Sequence, residues 1–97
     1  MKRDVVISSR ATQSLQRIVA RVAETSLIGA EDTRLSVLSA MRKLQLNADN
    51  NSRKAKFDTL TGNYRSVLAG QCRIYFKVEE RQVLVLDVIL EKPAVQS

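Results

Sequence analysis

The stretch GNYRSVLAGQCRIYFKVEERQVLVLDVIL, residues 62–90, decides the fold. It divides into three apolar, β-branched and aromatic runs, free of proline and separated by turn-compatible residues, which is the pattern of an antiparallel meander. The first run opens at Gly62-Asn63-Tyr64-Arg65 and ends at Ala69, and Gly70-Gln71 makes a short turn. The second is Cys72–Val78; Glu79-Glu80-Arg81 then turns the chain into the third, Gln82–Leu90. Alternation along the second strand puts Cys72, Ile74, Phe76 and Val78 on one face and Arg73, Tyr75, Lys77 and Glu79 on the other. That is a half-buried strand with a basic, aromatic outer side. The third strand is apolar on both faces except at Asp87, which places it centrally in the sheet.

Everything before Gly62 must then cover the sheet. Asp4–Ser8 is a short β-branched run that reads as a fourth strand joining the meander. Ser8 and Ser9 supply capping hydroxyls for a helix over Arg10–Glu24, whose stripe is Ala11, Leu15, Ile18, Val19 and Val22. Arg10, Gln13, Arg17, Arg21 and Glu24 lie off that stripe. Thr25–Ala30 breaks the periodicity, and Glu31-Asp32 suit the first turn of a second helix, where backbone N–H groups favour negative charge. Its apolar face is Leu35, Leu38, Met41 and Leu44–Leu46, and the two helices should form an antiparallel hairpin. Asn47–Ser52 reads as a polar loop, followed by the basic trio Arg53, Lys54 and Lys56. That trio is either a solvated linker or one wall of an anion-binding groove. The fold class is therefore α+β: two N-terminal helices on a mainly antiparallel four-stranded sheet, within a single domain spanning residues 1–97.

Composition narrows the chemistry. Sixteen Lys and Arg against ten Asp and Glu give a net charge of +6, which attracts nucleic acid or an acidic protein. There is no histidine, so acid–base chemistry at neutral pH lacks its commonest agent. One cysteine and no histidine leave no internal disulfide and no ordinary zinc site; Cys72 reads as a small buried hydrophobe. No metal or cofactor is expected. Met1-Lys2-Arg3-Asp4 lacks the apolar stretch of a signal peptide, and no run reaches membrane-spanning length, so a cytoplasmic location is expected. Arginine binds phosphate in a bidentate way and offsets developing negative charge. Arg65 and Arg73, on adjacent strands, are expected to present their guanidinium groups on one face, or else to pair with Glu79 or Glu91. Tyr75, between Arg73 and Lys77, is placed to stack on an unpaired base. Tyr64, opposite Arg65 on its strand, reads as packing.

The element order, with Leu60-Thr61-Gly62-Asn63-Tyr64-Arg65 followed by Gly70-Gln71-Cys72-Arg73-Ile74-Tyr75-Phe76-Lys77-Val78, resembles the RelE/ParE toxin superfamily. The resemblance covers nearly the whole chain in element order, and its specific motifs occupy Leu60–Val78. It implies the toxin half of a bacterial type II toxin–antitoxin pair, of the kind tied to plasmid stabilisation and neutralised by an acidic antitoxin. RelE-like members act as mRNA interferases: at the ribosome they cut mRNA without metal, by activating the ribose 2′-OH against the adjacent phosphate. That endoribonuclease chemistry uses basic residues on the first meander strand, an arginine on the second, and arginine with tyrosine or histidine after the last. Arg65 and Arg73 match the first two kinds of position. Val67 stands where a second basic residue would be, and Lys92 is the cation that follows the last strand, with no aromatic beside it. By this resemblance Arg65, Arg73 and Lys92 are the catalytic candidates, and Arg53, Lys54, Lys56, Tyr75 and Lys77 the RNA-binding ones. ParE-like members share the fold, inhibit DNA gyrase and need no ribonuclease residues. A relative that only retains its antitoxin contact is the third possibility.

Overall fold

A computed structural model describes residues 2–54 and 64–91, with the side chains of 47–54 outside the described set. The element order is β1 (Asp4–Ile7), α1 (Ser9–Ala23), α2 (Leu27–Lys54), β2 (Tyr64–Ala69), β3 (Cys72–Val78) and β4 (Gln82–Leu90). The strands form one sheet in the order β1-β4-β3-β2. Neighbours β2–β3 and β3–β4 are antiparallel, and β1 runs parallel to β4. The fold is α+β with the expected three-stranded meander, and its last strand lies between β1 and β3.

The hairpin between β2 and β3 closes through Gly70-Gln71, with Gly70 at φ 64°. That left-handed conformation is what a two-residue hairpin turn needs to match the twist of its strands, and glycine adopts it without steric cost. Between β3 and β4 the register slips at Tyr75/Phe76: Tyr75 pairs with Asp87 and Phe76 with Val85, leaving Leu86 as an extra residue. This β-bulge changes the phase of β4. Before it, Val83 and Val85 are buried in the core; after it, Val88 takes their place. A strand that looks apolar on both sides is thus two short amphipathic pieces of opposite phase.

Ser8 joins the sheet to the helices. Its backbone N–H donates to Val85 and its hydroxyl to the Leu86 carbonyl, while the same oxygen accepts from the Ala11 N–H as the N-cap of α1. The expected helix over residues 10–24 is present, displaced by one residue at each end. The core fills the space between both helices and one sheet face. It combines Ala11, Val37, Met41 and Leu44 with Cys72, Ile74, Phe76, Val78, Val83, Val85 and Val88.

The second helix differs from its expected course in three ways. It begins at Leu27, not Glu31, because the Ser26 hydroxyl accepts the Gly29 N–H and caps it four residues earlier. It also continues through Asn47–Ser52, the expected polar loop, as far as Lys54. No glycine or proline lies between Ala30 and Thr61, and an established helix gains a hydrogen bond for each residue it adds. Its buried face is Ala30, Val37, Met41 and Leu44; Leu35 is 50% exposed and Leu46 64%. The earlier start does not alter the helical phase; Val37, omitted from the expected stripe, sits one turn before Met41 and carries that face into the core.

Candidate functional site

The two helices leave the opposite sheet face uncovered by their own packing, and the sequence-predicted residues of β3 stand there. Register aligns Tyr64 with Lys77, Ser66 with Tyr75, and Leu68 with Arg73 and Ile89. The result is a patch of alternating cation and aromatic side chains edged by exposed Leu68 and Ile89.

Its cations are engaged internally. Arg73 Nε lies 3.0 and 3.1 Å from the two carboxylate oxygens of Glu91, and Arg73 Nη1 donates to the Ser66 hydroxyl at 3.0 Å. Ser66 is a buried polar residue, 1% exposed, and its hydroxyl accepts this bond from Arg73. Lys77 Nζ sits 5.4 Å from the centre of the Tyr64 ring, a cation–π distance, and 3.6 Å from Glu79 Oε2. Charge on this face is therefore closer to balanced than the sequence of β3 alone implies. The pairing of Arg73 with Glu91 is one of the alternatives that the sequence allows.

Arg65 is elsewhere. It aligns with Phe76 and shares its side of β2 with Val67 and Ala69, which pack on the core. Strand alternation thus puts Arg65 on the helix side and Arg73 on the opposite side. The expectation that they present guanidinium groups on one face is corrected: the period of two in β2, with Arg65 aligned to Phe76 and Ala69 in the core, puts Arg65 on the helix side. Tyr75 is half-buried between Ser66 and Asp87, and Lys77 is its outer-face neighbour. Arg53 and Lys54 lie on the last turn of α2, a helix where a loop was expected. Lys56 and Lys92 lie outside the described residues.

A second polar cluster was not singled out from the sequence. Asp87 Oδ1 accepts from the Ser14 hydroxyl at 2.6 Å and from the Val88 N–H at 2.8 Å, and Asp87 Oδ2 faces Arg10 Nε at 3.6 Å. Arg17 donates to the Ser14 hydroxyl at 3.3 Å. The available signal was the lone charge in β4 together with Ser14 beside an apolar stripe. Burial pushes the Cys72 thiol above its usual range, so it stays protonated and unreactive. Among the described residues no group of three or more His, Cys, Asp or Glu side chains gathers to hold a metal ion, and no helix is long and apolar enough to cross a membrane.

This two-helix, mixed-sheet arrangement is the RelE/ParE-like fold. Among solved structures the chain is similar to one described as "Chromosomal ParDE TA system from P. aeruginosa", with a TM-score of 0.75 over 94% of this chain and 98% of that one. Identity is 14%, so the likeness is one of fold. No family model matches the sequence. No curated protein matches it either.

Proposed function

We propose that the chain is the toxin of a type II toxin–antitoxin pair, and that it acts in the ParE-like manner, by holding a protein target such as DNA gyrase. The engagement of Arg73 by Glu91 and Ser66 carries this reading. A ribonuclease face needs cations open to phosphate, and on the sheet face away from the helices the Arg73 guanidinium already has a carboxylate. Arg65 lies on the other side of the sheet, so the two arginines do not converge on one phosphodiester. The absence of histidine from the sequence removes the ordinary general acid and base as well. The fold likeness to a ParDE structure is in keeping with this. Neutralisation would come from an acidic antitoxin, suited to a chain of net charge +6.

Ribosome-dependent mRNA cleavage is the second reading, and the Arg73, Tyr75 and Lys77 row on one strand face favours it. An ion pair at the surface contributes little in water, so an incoming phosphate can displace Glu91 from Arg73. Tyr75 would then stack on a base, with Arg53, Lys54, Lys56 and Lys92 supplying further charge.

Induction of the chain in cells, with transcript ends mapped beside plasmid supercoiling and DNA breaks, separates the two. Gyrase-linked breaks with intact transcripts support the first reading. Cuts inside translated codons that vanish in Arg73→Ala replace it with the second. Growth unaffected at high expression overturns both and leaves a relative that only binds its antitoxin.

A further inference from the structure

The side of α2 that faces away from the core is not uniformly polar. Ile28, Leu35 and Leu46 are all exposed, Ile28 at 78%. The helical repeat of 3.6 residues brings them into one narrow stripe, opposite the buried Val37. Two charged pairs flank the stripe, Glu31-Asp32 near its start and Arg42-Lys43 near its end, and all four residues are exposed. Among the described residues no hydrogen bond or ion pair engages Asp32, Arg42 or Lys43, while Glu31 pairs with Arg34 at the surface. An apolar row framed by acid at one end and base at the other has the make-up of a helix–helix interface.

We propose that this face of α2 packs antiparallel on the same face of a second copy of the chain, forming a twofold dimer. The spacing of the charges selects that occupant. About a twofold axis level with Val37, positions equally far before and after it come opposite one another. Ile28 then meets Leu46 of the other copy, and Leu35 meets Ser39 at the centre. Glu31-Asp32 meets Arg42-Lys43 at both ends, so acid faces base throughout. Parallel packing in register would set acid against acid and base against base. The first helix offers no such match, because the charged residues along it, Arg10, Arg17 and Arg21, are all basic. Repulsion between two chains of net charge +6 is screened beyond about 8 Å at ordinary salt, whereas the facing pairs act at shorter range. The contact from Ile28 to Leu46 is about 27 Å long. One helix pair of that length lies at the low end of stable interfaces, so the dimer should dissociate on dilution. This inference goes beyond the toxin reading and does not depend on it.

Sedimentation velocity of the full chain, from about 1 µM to about 1 mM, should show a monomer passing into a dimer. Arg42→Glu/Lys43→Glu sets acid against acid, and Glu31→Lys/Asp32→Lys sets base against base. Each variant alone should dimerise about tenfold more weakly or worse. Mixed in equal amounts, the two should form a heterodimer, because every acid then faces a base again. Arg17→Glu/Arg21→Glu makes the same change of net charge on α1 as the first variant makes on α2, and should dimerise no more weakly than the unmodified chain. Circular dichroism of each variant excludes loss of fold as the cause. An unmodified chain that stays monomeric to the highest concentration overturns the proposal. So does association that survives both α2 variants, or an equal mixture of them that fails to associate.

Discussion

The Ser14 hydroxyl of α1 donates a 2.6 Å hydrogen bond to Asp87 Oδ1, fastening the first helix to β4 next to its bulge. A hydrogen bond to a charged acceptor contributes more than a neutral one, and its loss leaves the buried Ser14 O–H without its acceptor. Asp87→Ala should therefore cost about 2 kcal/mol, lowering the melting temperature by roughly 10 °C. Arg10→Ala, which removes only a 3.6 Å exposed ion pair, should cost less than about 1 kcal/mol. Thermal melts of the two variants showing equal losses would refute this ranking.

Glu91→Gln is expected to release Arg73 to the solvent. Stability should change by less than about 1 kcal/mol, because the pair is partly exposed. Affinity for a single-stranded RNA should rise, and the slope of log affinity against log salt should steepen by about 0.7, the share of one additional phosphate contact. An unchanged slope would mean that Glu91 does not hold Arg73 away from anions in solution.

Gly70 at φ 64° offers a stereochemical test with little steric complication. A Cβ added there meets Ser36 Cβ at 3.5 Å, an ordinary contact, so the cost of Gly70→Ala is the left-handed backbone alone. That is about 1–2 kcal/mol. Gly70→Asn should cost distinctly less, since asparagine tolerates this region. Denaturant titrations giving the reverse order would count against the turn geometry.

The face that α2 turns to the core is checked by one pair of truncations. Val37 is fully buried and Leu35 half-exposed. Val37→Ala should cost about 2 kcal/mol and Leu35→Ala well under half of that, although leucine loses more atoms. Equal costs would restore the stripe that runs through Leu35.

Cys72 is fully buried and its thiol is held protonated. A thiol reagent such as Ellman's should therefore label it only as fast as the native state opens, and promptly in denaturant. Rapid labelling in native buffer would place the side chain at the surface.

The meander was legible because each signal was local. Gly70 marks a turn wherever it falls, and the alternation of Cys72, Ile74, Phe76 and Val78 leaves one choice of buried face. The partner strand for Asp4–Ile7 was harder to read, since its pairing with β4 joins residues nearly eighty apart. The far end of α2 was misread because Asn47–Ser52 is polar, and low intrinsic propensity yields to propagation from a helix already formed. The site was least legible. Whether Arg65 and Arg73 cooperate depends on register across β2 and β3, and the pattern of either strand alone does not state it. The bulge at Leu86 was invisible for a related reason, as apolar residues on both faces of β4 conceal a change of phase.

The parallel pairing of β1 with β4 has a consequence for synthesis. A chain emerging from the ribosome presents β1 first, yet the strand that receives it comes last among the described elements. Until β4 is exposed, Ser8 has neither the Val85 nor the Leu86 carbonyl, and Ser14 has no Asp87. The helical hairpin must wait with its apolar stripe uncovered until β4 has emerged and the long β1–β4 loop can close. A product interrupted before β4 would lack the strand that joins β1 to the meander. The nascent chain would expose apolar surface to proteases throughout that interval.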